Sequence, residues 1–290
     1  LPIYIALRMS SLKKMIAALE LVTDAKTSWT PEEIAKALKV SLPTAYRYVR
    51  ELYGAGLFAR LGGGSYTLGP RIVTLDYQMR RTDPLERVGR DLLQGLAQET
   101  GLIVLVSYWL NDQVLNVYEQ NPTGVGDPRY GRGQITSLFR SSTARIVLAY
   151  QKPARQKRVF DRHPGDPDRD LLGRDWPRFR KALNEIKRQG TSRTEALLVP
   201  DQIGLAAPLL NPDGTAHGSL TVVGPTRRIE LFDEAALRRR LLDAARELTR
   251  RLAQAQRSEI KAAQRPEPAA GARAVARKPA RRIAKAKNLR

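Results

Sequence analysis

The chain has 290 residues, 42% of them hydrophobic, with no cysteine, two histidines and a formal net charge of +21. At roughly 100–200 residues per domain, that length accommodates two domains around ordinary cores. The composition excludes disulfides, thiol nucleophiles and cysteine metal sites, leaves little for a histidine-based catalytic constellation, and implies no cofactor. No apolar run of about 18 residues spells a membrane span. The opening segment, Leu1 to Arg8, is too short for a secretory signal, and its first residue leaves the true start open.

Charge is unevenly spread. Residues 1–80 carry 11 basic and 6 acidic side chains, whereas residues 257–290 carry 11 basic and only 2 acidic ones. Such a surface points to a polyanion, nucleic acid being the commonest; an anionic membrane surface and plain solubility are the competing readings.

The first 69 residues read as three helices and a hairpin. Leu12, Met15, Ile16, Leu19 and Val22 follow helical spacing, which predicts a helix over 11–24. Thr30-Pro31-Glu32-Glu33 is a helix start with a capping hydroxyl, proline at the first position and a glutamate completing a capping box. That helix ends at Leu38. Ser41 offers a new cap three residues later, and a third helix runs to Ala55, where Gly56 stops it. Two short extended runs, 57–60 and 65–68, flank Gly62-Gly63-Gly64 as a hairpin.

Residues 70–81 form a linker helix with an apolar face, and Pro84 starts a helix closed by Gly101. Strands are expected at 102–110 and 114–119, joined through Asn111-Asp112-Gln113. A glycine-rich connection comes next, over 124–133. Ser141 or Ser142 caps a helix to Gln151, and another helix begins after Pro153. A polar loop over 163–175 precedes a helix from Pro177 to Gln189. Strands are expected again at 191–199, 204–210 and 215–223, the last two joined by Asn211-Pro212-Asp213-Gly214. A final helix spans 232–255. The tail, 257–290, has almost nothing to bury and reads as disordered.

Two short helices separated by a tight turn, the second presenting polar side chains, form the geometry that enters a DNA major groove. Ala45, Val49 and Leu52 give the third helix its buried stripe, with Tyr48 partly buried. Leu42, Pro43, Tyr46, Arg47 and Arg50 face outward. Ser41 and Thr44 stand at the helix start, where hydroxyls and free amides suit phosphate. Arg47 is the candidate base reader, since its fork makes two hydrogen bonds to guanine. Tyr46 and Pro43 suit thymine methyls or sugars, while Arg50, Arg60 and Ser65 suit phosphates. The bland alternative is a three-helix packing module with a solvated third helix.

The stretch Leu12–Leu68, with Thr30–Arg50, Gly56-Leu57 and Tyr66-Thr67-Leu68-Gly69-Pro70, resembles the N-terminal domain of IclR-type transcriptional regulators. The resemblance continues through Leu85–Gly101, Ala144–Tyr150, Arg188-Gln189-Gly190, Ala206-Ala207-Pro208, Asp213-Gly214 and Gly224-Pro225, covering roughly residues 10–255. It implies an α+β protein: a winged-helix DNA-binding domain (1–69), a linker helix (70–84), a GAF-like effector domain with a central antiparallel sheet (85–256) and the basic tail (257–290). It further implies a bacterial, cytoplasmic, nucleoid-associated protein that binds double-stranded promoter DNA as a dimer or tetramer and responds to a small organic or aromatic acid.

Carried over position by position, the family's effector pocket falls on Ser142 and Thr143 as a backbone-amide anchor, and on Thr194, Gly204, Thr221 and Val223. Thr194 lacks the family's carboxylate, Gly204 its thiol and Val223 its hydroxyl. Ala144 replaces a frequent glycine, and Asp201 follows Pro200 where glycine is usual. These departures predict a roomier, more apolar pocket suited to a larger ligand. Arg140 or Arg145 is the candidate partner for its carboxylate, the bland alternative being that both are surface charges.

His163, in a loop with Asp161, Asp166, Asp168 and Asp170, is better read as solvated than as a metal site. His217 shows no acid or nucleophile partner in the sequence pattern, and Gly62–Gly64 lacks the Lys-Ser or Lys-Thr of a phosphate loop. An enzyme with a DNA-binding appendage is therefore disfavoured. An architectural DNA-binding protein with a vestigial sensor is the main alternative. The tail is expected to add sequence-independent affinity through counterion release, a solubility tail or an RNA contact being the alternative. Deleting 257–290 is expected to weaken binding to any DNA and flatten its salt dependence while keeping site preference, as read by fluorescence anisotropy across a salt series.

Overall fold

The structure, a computed structural model, describes residues 10–122 and 130–263. Helix α1 (Ser11–Ala17) is capped by the Ser10 hydroxyl. It stops earlier than the apolar spacing predicts, giving way to a 3₁₀ turn at Leu19–Leu21. Beyond it, Thr23 and Lys26 exchange backbone hydrogen bonds. The Lys26 ammonium lies 2.6 Å from Glu33 and 4.0 Å from the Trp29 ring centre. These contacts hold the chain out of helical geometry. Met15 and Leu19 pack inward, but Leu12 and Ile16 stay exposed.

Helix α2 (Pro31–Leu38) has the full capping box, Thr30 and Glu33 each bonding the other's backbone. Lys39 takes the left-handed conformation that turns the chain into α3 (Leu42–Gly54). Ile34, Leu38, Ala45, Val49, Leu52 and Phe58 close one small core, with Val40 of the turn packed against it. Tyr48 is fully buried rather than partly so. Strands β1 (Phe58–Arg60) and β2 (Tyr66–Leu68) pair antiparallel around the three glycines.

Helix α4 (Arg71–Thr82) buries no residue, and Val73, Leu75, Tyr77 and Met79 are all exposed. The single helix expected over 84–100 breaks at Gly89 into α5 (Pro84–Val88) and α6 (Arg90–Thr100).

The larger half of the chain is built on one six-stranded antiparallel sheet, ordered β5-β4-β3-β8-β7-β6. Its strands are β3 (Ile103–Leu110), β4 (Gln113–Gln120), β5 (Ile135–Thr136), β6 (Ser192–Glu195), β7 (Gln202–Leu210) and β8 (Ala216–Pro225). The β6 strand is shorter than the run expected over 191–199. Strand alternation assigns each residue a face. Val104, Val106, Leu205, Ala207, Leu220 and Val222 point to a core shared with Leu93 and Leu96 of α6 and Leu237, Leu241 and Leu248 of α12 (Glu234–Ala263). The opposite face carries Val114, Ala206 and Ala216 against Ile146 and Val147 of α7 (Ser142–Ala149). Behind α7 stand α8 (Pro153–Arg162), α9 (Pro167–Asp170) and α10 (Trp176–Gln189), with Phe139, Val159, Phe179 and Leu183 at their centre. The α9 turn lies inside the segment expected to be a loop. A short α11 (Thr226–Ile229) links β8 to α12.

The α+β architecture is the expected one. Helix α12 outruns its predicted end, so residues 257–263 are helical rather than tail, and Glu259 forms an ion pair with Arg87 of α5. Removing 264–290 alone therefore leaves α12 whole. The tail beyond Ala263 and most of the glycine-rich connection, 123–129, lie outside the described residues. Among the described residues no helix is long and apolar enough to cross a membrane.

Candidate functional site

Helix α3 presents the face expected of it. Leu42, Pro43, Tyr46, Arg47 and Arg50 are exposed, while Ala45, Tyr48, Val49 and Leu52 are buried. The Ser41 hydroxyl does not cap α3. It pairs instead with the Thr44 hydroxyl at 2.8 Å, which leaves the first amides of the helix unbonded by it. Arg50 lies 3.5 Å from Glu51, both exposed, a pair of little energetic weight. The Tyr46 hydroxyl donates to Glu32 of α2 at 2.7 Å, which holds the Glu32 carboxyl below and the Tyr46 phenol above their usual ranges. Tyr46 is thus positioned by an acidic neighbour that its own sequence segment does not reveal.

In the hairpin, Gly63 and Gly64 adopt positive φ angles of 71° and 76°, a region costly for side-chain-bearing residues. Ser65 donates its hydroxyl proton to the Gly62 carbonyl at 3.0 Å, so it closes the turn rather than offering that proton outward. Arg60 is exposed. Trp29 and Tyr66 exchange backbone hydrogen bonds of 2.9 and 2.8 Å, seating the hairpin against the segment before α2. Nothing in the local pattern announces that bridge.

On the second sheet face, a narrow cavity of about 20 Å³, room for about one water molecule, opens between α7, β7 and the segment after β6. Ser142, Thr143, Thr194, Gly204 and Val223 all line it, so residues from four separate segments converge. Thr221 does not line it; its hydroxyl bonds that of Thr143 at 3.0 Å, pinning the start of α7 to β8.

The expectation of a roomier, apolar pocket is not met. A Cβ built on Gly204 would lie 2.6 Å from the Ser142 hydroxyl oxygen, so the serine occupies the space that the missing side chain leaves. Hydroxyl and amide side chains, including Asn116 and Gln202, make up more than half of the lining.

The structure does not bring Arg140 and Arg145 to the cavity. Arg140 donates to the Leu197 carbonyl and lies 3.3 Å from Asp168. Arg145 donates to the Phe139 carbonyl at 2.6 Å, and burial pulls its pKa down. Both guanidinium groups are spent on the scaffold behind the wall, and among the described residues no charged side chain lines the cavity.

One wall of the cavity is tied to α4. The Asn116 side chain accepts from Ser107 at 2.8 Å and donates to the Tyr130 carbonyl at 3.1 Å. Two residues on, Arg132 donates to the Val117 carbonyl and lies 3.2 Å from Asp76 of α4. Asp76 also accepts from Arg80 at 2.7 Å. Partial burial pushes the Asp76 pKa up, but these two arginines outweigh it and hold it below the usual range.

The family description "Bacterial transcriptional regulator IclR C-terminal" matches residues 80–250, more than half of the chain. The chain belongs to the IclR family. This IclR-family chain is 24% identical over 221 residues to the HTH-type transcriptional regulator BhcR of Paracoccus denitrificans, covering 76% of this chain and 79% of BhcR. Its fold is shared with a putative IclR regulator from Silicibacter sp. TM1040, at a TM-score of 0.69 and 19% identity, over 84% of this chain and 96% of that one. It is shared also with an IclR homolog from Microbacterium hydrocarbonoxydans complexed with 4-hydroxybenzoate, at a TM-score of 0.65 and 18% identity, over 84% and 100% of the two chains. The family and these relatives are transcriptional regulators rather than enzymes.

The two histidines of this IclR-family member have local surroundings of their own. His163 bonds the Val159 carbonyl at 2.8 Å and packs edge-on against Phe139. His217 is half-buried beside Tyr108, and burial lowers its pKa.

The Gly204–Ser142 fit makes a measurable coupling. Gly204→Ala is expected to cost about 1–3 kcal/mol of stability, the usual range for overpacking. The cost should be clearly smaller in a Ser142→Ala background, as read by urea unfolding in a double-mutant cycle. Equal costs in both backgrounds would separate the two residues.

Proposed function

We propose that this IclR-family protein is a ligand-responsive regulator that binds promoter DNA through α3 and the β1–β2 hairpin, as a homo-oligomer, and is modulated by a small organic acid. In this reading residues up to 69 form the DNA-binding unit, 70–84 the linker and 85–256 the effector unit. The protein then acts in the bacterial cytoplasm, where promoter DNA is. The observation that carries the reading is the division of α3: one stripe packs the core, and the other holds Arg47 exposed to solvent on the second helix of a tight helix-turn-helix.

Arg47 suits bidentate recognition of guanine, and Arg50 and Arg60 suit phosphates. For an acid in the cavity, the start of α7 supplies the anchor. The Ser141 hydroxyl already serves the Ala144 amide at 3.0 Å, leaving the Ser142 and Thr143 amides at the positive end of the helix. The Microbacterium relative holds 4-hydroxybenzoate, which supports an acid of this kind. The narrowness left by Ser142 favours a compact one. A cavity walled by Ser142, Thr194 and Gln202 also argues against a vestigial sensor.

Self-association is supported by the exposed apolar surface of α4, where Val73 is 73% and Tyr77 59% exposed one turn apart. Exposed apolar side chains on a helix with no fully buried residue among the described residues suit a second copy.

Two outcomes test the reading. Arg47→Ala should lose about 1–3 kcal/mol of binding to the operator selected by the wild type, with little change on random duplex, measured by anisotropy at fixed salt. Equal loss on both DNAs would make Arg47 a phosphate contact. In sedimentation velocity the wild type should run as a dimer or larger, and the Val73→Glu/Tyr77→Glu variant as a monomer. A wild-type monomer at micromolar concentration would remove the oligomer from the proposal.

A further inference from the structure

Strand β7 places alternate residues on opposite faces. Ile203, Leu205 and Ala207 are buried against the α6–α12 layer, which turns Gln202, Gly204 and Ala206 to the α7 side. Gln202 is therefore a polar side chain delivered to the cavity by the register of the sheet, and it lines that cavity. Its backbone is occupied, since the Gln202 carbonyl accepts from the Ala196 amide at 2.8 Å. Its side-chain oxygen, Oε1, is buried and has no hydrogen-bond partner among the described residues.

The contrast with its neighbours is informative. Asn116 has both ends of its amide engaged, and the Thr143 and Thr221 hydroxyls satisfy each other. Buried polar atoms in native proteins are almost always paired, and one that is not calls for a specific explanation. An amide oxygen only accepts, so the missing partner is a donor. Among the described residues no acidic side chain lines the cavity to offset a cation. A neutral donor, a hydroxyl, thus fits better than an ammonium group.

We infer that Gln202 is a specificity-determining residue that accepts a hydrogen bond from the ligand, so that the cavity selects a hydroxy acid over the same acid without its hydroxyl. This rests on the effector reading above, in which the carboxylate lies at the start of α7. Gln202 then reads the other end of the molecule. A site built to bond a hydroxyl rejects the analogue lacking it, because the protein's own polar group is left stranded. In the absence of ligand the glutamine is a stability cost carried for function.

The experiment uses the full chain and two matched pairs, lactate with propionate and 4-hydroxybenzoate with benzoate, titrated by calorimetry into wild type and Gln202→Met. Methionine keeps the length of the side chain and removes the acceptor. The wild type is expected to bind at least one hydroxy acid ten times or more tighter than its partner. In Gln202→Met that ratio should fall to within twofold of one, chiefly by weaker binding of the hydroxy acid. The melting temperature of the ligand-free variant should equal or exceed that of the wild type.

Binding without discrimination in the wild type, or a ratio unchanged in the variant, overturns the role of Gln202 and leaves the effector reading standing. A fall of several degrees in the ligand-free melting temperature, reproduced by Gln202→Leu, assigns Gln202 a structural role instead. No binding of any of the four acids overturns the effector reading and this inference with it.

Discussion

A six-stranded antiparallel sheet has two faces to keep from water, and this chain covers them with segments from very different positions. One face is closed by α6, which precedes the sheet, and α12, which comes after it, through Leu93, Leu96, Leu237, Leu241 and Leu248. The other is closed from within by α7, inserted between β5 and β6. Burial of one aliphatic set fixes the register of every strand, because a slip of one residue would reverse both faces. The cavity exists on those terms. It lies where α7 begins, before its apolar residues take over, and its walls are the side chains that alternation turns away from the α12 layer.

The same economy explains why the polar lining is tolerated. Thr143 and Thr221 satisfy each other, Asn116 is held at both ends, and Ser141 caps the helix it precedes. Most hydroxyls and amides that could destabilise the interior are paired, which leaves the few unpaired groups conspicuous. In the smaller N-terminal core the logic is simpler. Ile34, Ala45, Val49 and Leu52 interlock α2 with α3, and the opposite stripe of α3 is left to solvent.

Much of this is legible in the residues alone. Thr30-Pro31-Glu32-Glu33 announces α2 because capping is local, and the α3 stripe comes directly from helical periodicity. Gly101 and Gly190 mark helix ends for the same reason. The departures from expectation are long-range. The capture of Arg140 by a carbonyl 57 positions away, and the filling of the Gly204 gap by Ser142, depend on which segments the sheet brings together. The short α1 is a similar case, since Lys26, Trp29 and Glu33 bend the chain by contacts that apolar spacing does not record. Gln202 escapes notice in sequence because a glutamine in a strand looks like a solvent-facing residue until the face it occupies is known.

The carboxylate of Asp76 has two claimants, one on its own helix and one across the gap. Were Arg132 to withdraw, Asp76 would keep Arg80, and Arg132 would keep the Val117 carbonyl. Neither charge would be abandoned in a dry place, which is what makes the rupture of most partly buried ion pairs expensive. The contact is therefore a latch rather than a weld: it sets a preferred seating for the helix between the two halves of the chain, yet its release strands nothing.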